Sequence, residues 1–486
     1  APHAASTMRL TNPYPILVAF VALAAFNGAD ATTCISTTNP LDLSKDYFPA
    51  SNRIAVDGTP AGSAEVTVAG DFSVTYHPYF KVLKNLKTSN TYILRMCGSD
   101  KPTKYPNGTA IESDAAHFSV PINGVAVGWS TPIPFFEQLD LMDKVRLADP
   151  TYVHSPCLQK AEEDGKIAVG NSSSFKAKAE ATTDVELVMA GDAGPYGYGC
   201  QCAKDVIFGA PKDDTPLGRA EWIKYISVFF NEEDRANLIF SREKNAYEAT
   251  IKLAESAAAT HKAANGGTKK KCAWISETDY QSGSYKSWKI DSDAYKLMYC
   301  TDAGMEAVAV KSDVTYAKGT DELKTALADV DVIIDQSFWK EKSYDTKAKV
   351  FTELGFAESD LKTGAILLRT DKEISADKNS AWLESGVLRP AHVLQGLVHA
   401  VWPSAVAEIP GACFDYFRDI TGTTIEAVNV KSHTACAAWE SANKEAQCVT
   451  NIISDDEMAL IRDSPAAKPS SIIAIVIALI VAVVGA

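Results

Sequence analysis

The chain has 486 residues, a formal net charge of −14, and a composition that is 46% hydrophobic and 22% charged. That acidity argues against nucleic acid as a partner, because binding to phosphates relies on clustered Lys and Arg. The one basic run, Lys269-Lys270-Lys271, reads as a solvated loop, and the overall balance is that of a globular protein rather than a disordered one.

Met8-Arg9-Leu10 opens a signal-peptide pattern: a short basic start, an apolar stretch from Ile16 to Phe26, and Ala29-Asp30-Ala31 as a small-residue cleavage site. Residues 1–31 are therefore read as a leader, with the residues before Met8 outside the pattern. All ten cysteines follow it, and an even count in a secreted chain reads as disulfides whose pairing the sequence does not fix. Cys200-Gln201-Cys202 has a metal-like spacing, yet no further Cys or His follows nearby, so a disulfide is the preferred reading there. Asn107-Gly-Thr and Asn171-Ser-Ser are expected glycosylation sites.

Residues 32–114 are expected to form a β-rich module, since from Ala64 to Val120 short β-branched and aromatic runs such as "DFSVTYH" and "TYILRMC" alternate with turn residues. Residues 115–230 change to strands alternating with helices: "GVAVGW", a helix around Phe135 to Met142, "IAVG" and "VELVMAG". That rhythm predicts a parallel sheet. Thr215-Pro216 then predicts a helix cap followed by proline at the first helical position, on a helix burying Trp222, Ile226 and Phe229.

Asn231 is expected to cap a second helix, with Glu232, Glu233 and Asp234 in its first turn favouring the dipole. Running over 231–264, that helix is on the order of 45 Å long and can bridge two lobes. After "ANGGTKKK" the alternation restarts over 265–405: "KCAWIS", a helix from Ser292 to Ala303, "MEAVAV", a helix from Asp321 to Ala328, "VDVIIDQS", "GAILLR" and an amphipathic helix near Ala391 to Val401. Residues 406–466 read as a cysteine-containing extension. Residues 467–486 are read as an apolar membrane anchor, either a lipid-attachment signal or a single span. The predicted fold class is α/β, two parallel-sheet lobes joined by one long helix.

Ligands of open α/β sheets bind beyond the carboxyl ends of the strands. The loops expected there are aromatic: Trp129-Ser130-Thr131, "GDAGPYGYG" with Tyr196 and Tyr198, "ETDYQSGSYKSW" with Tyr280, Tyr285 and Trp288, and "QSFW" with Phe338 and Trp339. Such side chains suit a bulky, partly apolar ligand, although the same rings could plug loops against the core. Nucleophile-elbow, zinc-protease, phosphate-loop and dinucleotide motifs are all missing. His392 and His399 share one helix and read as packing; His154 is better placed. The chain is read as a binder without a cofactor, not an enzyme.

The blocks "GVAVGWST", "YVHSPCLQKAEEDGKI", "TPLGRAEWIKYISVFFN", "TDAGMEAV" and "WLESGVLRPAHVL" resemble, in this order, the class III substrate-binding proteins of ABC importers for metal chelates and cobalamin. The resemblance covers about residues 70–405. With a leader, sequons and an apolar tail, the chain looks most like the algal cobalamin acquisition proteins. It implies two lobes, one linking helix and a ligand in the cleft between them. It further implies Trp129 and Trp382 as corrin-facing contacts, Tyr196, Tyr198, Trp288 and Trp339 as further aromatic contacts, and Glu384 and Arg389 as polar groups at the rim. The expectation is a cell-surface protein that binds cobalamin for uptake and passes it to an unidentified transporter. The alternative is a ferric siderophore, which would favour an Arg and Lys cluster, or haem, which would want an axial ligand such as His154 or Tyr196.

Overall fold

In a computed structural model of the protein, the described residues are 34–48, 63–64, 66–171, 173–191, 199–278, 287–310, 314–337, 346–406, 414–422, 428–431 and 436. The leader, the apolar tail, Cys413, Cys448 and the loop residues Tyr196, Tyr198, Tyr280, Tyr285, Phe338 and Trp339 lie outside them. The first sheet contains β1 (Ser63–Ala64), β2 (Phe72–His77), β3 (Phe80–Asn85), β4 (Asn90–Met96) and β5 (Ala116–Val120), paired in that order. Along β2, Phe72, Val74 and Tyr76 turn inward while Thr75 faces solvent, the alternation of a strand with one wet face. The module closes at Val120, past the expected boundary at 114, because β5 returns to pair in parallel with β4.

The amino-terminal lobe follows as β6 (Val125–Val127), α1 (Ile133–Gln138), β7 (Val145–Ala148), α2 (Pro156–Glu163), β8 (Ala168–Val169), α3 (Phe175–Ala181), β9 (Leu187–Gly191) and β10 (Asp205–Phe208). Its sheet is entirely parallel, in the order β10-β9-β6-β7-β8. Every residue of β9 is buried, as expected of a strand covered on both faces.

Two short helices, α4 (Pro216–Glu221) and α5 (Ile223–Ser227), lead to the long α6 (Glu233–Ala264). Thr215 caps α4 as expected, its hydroxyl accepting from the Gly218 N–H at 2.9 Å. Gly218 is required: a Cβ there would lie 2.0 Å from Asp213 Oδ1. Asn231, expected as the cap of α6, instead takes φ 60° in the turn before it, and its side-chain oxygen accepts from Lys81 Nζ at 2.8 Å. The short polar side chain of Asn tolerates that left-handed conformation, and capping gives way to a tertiary bond. Helix α6 has 32 residues and contains neither Pro nor Gly, so it spans about 48 Å at 1.5 Å per residue. It ends where Gly266 and Gly267 adopt positive φ.

The carboxy-terminal lobe contains β11 (Lys271–Glu277), β12 (Ser287–Ile290), α7 (Ala294–Asp302), β13 (Glu306–Ala307), β14 (Thr315–Ala317), α8 (Asp321–Leu327), β15 (Val332–Asp335), α9 (Lys347–Leu354), β16 (Ile366–Arg369) and β17 (Glu373–Ser375). Helices α10 (Ser385–Leu388), α11 (Pro390–Val401) and α12 (Pro403–Val406) precede β18 (Arg418–Asp419) and β19 (Asn429–Lys431). Its sheet runs β14-β12-β11-β15-β16-β18, with β13 also beside β11. The centre is parallel, whereas β12, β14 and β18 add antiparallel edges. The residues between β11 and β12 are too few for the helical crossover that a parallel pair needs.

Helix α11 is buried on nearly every side rather than amphipathic. Its Ala391 N–H donates to Glu243 Oε1 of α6 at 2.7 Å, which satisfies one of the open donors of a helix start. Both lobes and the single connecting helix that the resemblance implied are therefore present. No helix among the described residues is long and apolar enough to cross a membrane.

Candidate functional site

The loop following β7 and the segment between β17 and α10 meet where the two lobes touch. Glu384, 2% exposed, reaches across and accepts from the backbone N–H groups of His154 at 2.7 Å and Ser155 at 2.9 Å. Asn379 reciprocates, its Nδ2 donating to the Val153 carbonyl at 3.2 Å. On a neighbouring path, the Arg219 guanidinium of α4 lies 3.3 Å above the Tyr295 ring of α7, a cation–π contact between the lobes. Val387 and Leu388 of α10 complete the fit by entering the core of the amino-terminal lobe.

Around this contact stands an ionisable cluster. Burial raises the carboxyls of Glu137, Glu373 and Asp415 and holds Glu384 well above the usual range. Arg389 is half-buried and pulls Glu137, Glu373 and Asp415 back down through its charge, as Lys431 does for Glu373 and Asp415. The His154 ring nitrogen Nε2 lies 3.4 Å from Glu373 Oε1. Burial, with the charges of Lys431 and Arg389 behind it, lowers this imidazole to about 4.

A neutral His154 makes stability depend on pH. Its folded value of about 4 lies below the 6.5 of an exposed histidine, so the unfolded chain takes up the proton first as pH falls. The contribution is fully present above pH 6.5 and is lost toward pH 4, on the order of 3 kcal/mol. H154N should therefore lose less stability than the wild type between pH 7 and pH 4 in urea titrations, by about that amount. Parallel profiles for the two proteins would place the acid loss elsewhere.

The predicted contact residues divide. Trp129, after β6, is half-buried and packs edge-on against Phe208 at 6.2 Å between ring centres. Arg389 and Glu384 both reach the junction, Glu384 as a buried tie rather than a rim group. Trp288 is fully buried on the inward side of β12, so it packs the core and is no ligand wall. Trp382 is 4% exposed and stacks on Trp274 at 5.1 Å, the roof of an aromatic cluster beneath the junction rather than an open face. Gly386 permits this, since a Cβ there would already press on the Trp382 ring at 3.3 Å. Tyr196, Tyr198 and Trp339 lie outside the described residues.

Residue-by-residue reading missed Glu137, Tyr152, Glu373, Asp415 and Lys431. Glu137 carried a signal, a lone charge in the otherwise apolar "IPFFEQ". Tyr152 carried none: its 57% exposure in the loop that Asn379 clasps is visible only in the structure. Asp415 and Lys431 belong to the extension, where no period marked them. Both sequon asparagines, Asn107 and Asn171, are exposed.

No family model matches the chain, and no curated protein does. Among solved structures it is similar to a periplasmic binding protein from Veillonella parvula, at 14% identity and TM-score 0.40, covering 62% of this chain and 90% of that one. A periplasmic heme binding protein from Pseudomonas aeruginosa is 13% identical with TM-score 0.39, covering 58% and 93%. An ABC-type Fe3+-hydroxamate transport system protein from Saccharomonospora viridis is 13% identical with TM-score 0.37, covering 61% and 97%. These values describe a distant likeness. The sheets and helix of the chain themselves establish its α/β architecture of two parallel-centred lobes on one long helix.

Proposed function

We propose that the chain is a cell-surface substrate-binding protein for the uptake of cobalamin, with the ligand held where the strand-end loops of its two lobes meet. The observation that carries this reading is the chemistry of that junction. Glu137, Glu373, Glu384 and Asp415 outnumber Arg389 and Lys431, and all four carboxyls are shifted toward their protonated, neutral form. A carboxyl accepts hydrogen bonds when ionised and can also donate when protonated, so either form can meet a ring system rimmed by amides such as a corrin. Trp129, half-buried in the loop after β6, is proposed as an aromatic contact, with Tyr196, Tyr198 and Trp339 as further ones. Arg389 is proposed as a polar contact and Glu384 as the group that positions the loop of His154.

In this reading the chain binds and hands over its ligand without catalysing a reaction. The segment from residue 467 holds it to the plasma membrane, and a transporter receives the cargo. Calorimetry on the full chain should show cyanocobalamin binding at micromolar concentration, weakened about tenfold or more in W129A, equivalent to about 1.4 kcal/mol. No heat of binding at that concentration would overturn the reading. The alternative ligands, haem and a ferric siderophore, are separated in a thermal-shift panel, because a ligand at a hundred times its dissociation constant stabilises by about 2.7 kcal/mol.

A further inference from the structure

Cys200 and Cys202 are joined to each other at the entry to β10, far from the lobe junction along the sheet. Gln201 between them adopts φ 52°, which folds the segment back over the first residue of β10, Asp205. Asp205 Oδ1 accepts from the Cys200 N–H at 2.9 Å and lies 3.1 Å from Cys200 Sγ. That last contact sets a carboxylate oxygen against a disulfide sulfur that has no proton to offer. Gly199 keeps the space open, since a Cβ there would stand 2.8 Å from Asp205 Oδ2. Among the described residues, Cys200, Cys202 and Asp205 are the group of metal-ligating side chains whose donor atoms all lie within 4.8 Å of one another.

We propose that Cys200, Cys202 and Asp205 form a redox-gated site for a soft divalent cation, closed as the disulfide and opened by a thiol reductant. Two thiolates and one carboxylate are a donor set for zinc or cadmium, with the fourth tetrahedral position left to water. The gate follows from loop length. This disulfide closes a sequence separation of 2, against 28, 63 and 279 for the others among the described residues, so it gains least of these from restraining the unfolded chain. Cys202 is half-buried, whereas Cys272 and Cys300 are fully buried and Cys34 is exposed, so loop length rather than access sets this bond apart from Cys34–Cys97.

Opening is ordinary exchange. A thiolate attacks Cys202 Sγ, the bond to Cys200 breaks, and Cys200 leaves as thiolate. A second thiol then displaces the first as a disulfide, so the reductant supplies two electrons and two protons. The cation replaces both cysteine protons, which pass to solvent.

The test exposes the full chain to glutathione buffers of rising reducing strength, with alkylation and mass spectrometry to identify the opened cysteines. Cadmium is then added to the desalted protein, with thiolate-to-cadmium absorbance and bound metal per chain as readouts. Cys200 and Cys202 should be labelled before any other cysteine, and about one cadmium should bind per chain. The absorbance should vanish in C202S, and affinity should fall about tenfold or more in D205N. D205S replaces D205N if circular dichroism shows the latter unfolded. Opening only together with Cys34 and Cys97, cadmium uptake unchanged in C202S, or wild-type affinity in the Asp205 variant would each overturn the three-donor site.

Discussion

Replacing Glu221 with alanine is expected to destabilise the protein by about 4 kcal/mol, the usual consequence of removing one partner from a buried, fully hydrogen-bonded ion pair. Glu221 is completely buried. Oε1 accepts from the Thr67 N–H and hydroxyl, each at 2.8 Å, and from Lys224 Nζ at 2.7 Å; Oε2 accepts from the Val68 N–H at 2.6 Å and the Ala69 N–H at 2.7 Å. Burial alone would raise this carboxyl, but Lys224 and the ring of N–H donors outweigh it and hold it below its ordinary value. It is therefore ionised at neutral pH, and it ties the start of the β-rich module to α4.

Alanine leaves three backbone donors unpaired and Lys224, 4% exposed, without its counter-charge, facing the Phe240 ring at 4.5 Å. K224M should be milder, about 1–2 kcal/mol, because the backbone donors still satisfy the carboxylate. Urea unfolding would rank the two variants, and hydrogen exchange over residues 66–70 should accelerate in E221A alone. A loss under about 1 kcal/mol in E221A would show that the module is held by its apolar face instead. Because the folded value is lowered, this contribution is present above pH 4.5 and fades as pH falls below it.

The second large effect belongs to the bond between Cys157 and Cys436. It closes a sequence separation of 279, for which the chain-entropy relation gives about 5.6 kcal/mol, with removals of native disulfides commonly falling at 2–5 kcal/mol. It also joins two bodies: Cys157 lies on α2 of the amino-terminal lobe, and Cys436 is buried in that lobe's core. Five positions earlier, Lys431 ends β19, which pairs with β17 of the other lobe. C157S/C436S should thus lose about 3 kcal/mol or more in denaturant and show faster exchange at the amides of His154 and Ser155. Unchanged exchange there would mean that Glu384 and Asn379 hold the lobes together unaided.

Helices and strands were legible wherever local chemistry governed them. Thr215-Pro216 capped α4 as read, and the absence of Pro and Gly let α6 run its length. Asn231 misled because its cap-like composition served a contact with Lys81, far away in the chain. The aromatic loops were legible as aromatic but not as inward or outward. Trp288 lies second in a strand whose alternation turns it into the core, and Trp382 stacks on Trp274, a neighbour more than a hundred residues distant. Glu384 was flagged through resemblance, yet its partners are the backbone of His154 and Ser155, 230 and 229 residues away. No window of sequence shows such a pair. Asp415 and Lys431 entered the junction only because the extension folds back along β16 and β17.

That return path decides how the protein bears load. The chain leaves the carboxy-terminal lobe, yet Cys436 is anchored in the amino-terminal one. Tension applied through the residues after Cys436 therefore passes through its sulfur into α2, bypassing β19 and the shallow pairing of β17. A load on that side of Cys436 thus reaches the first lobe by a covalent route, and the second lobe through the ties of Glu384 and Asn379 to residues 153–155.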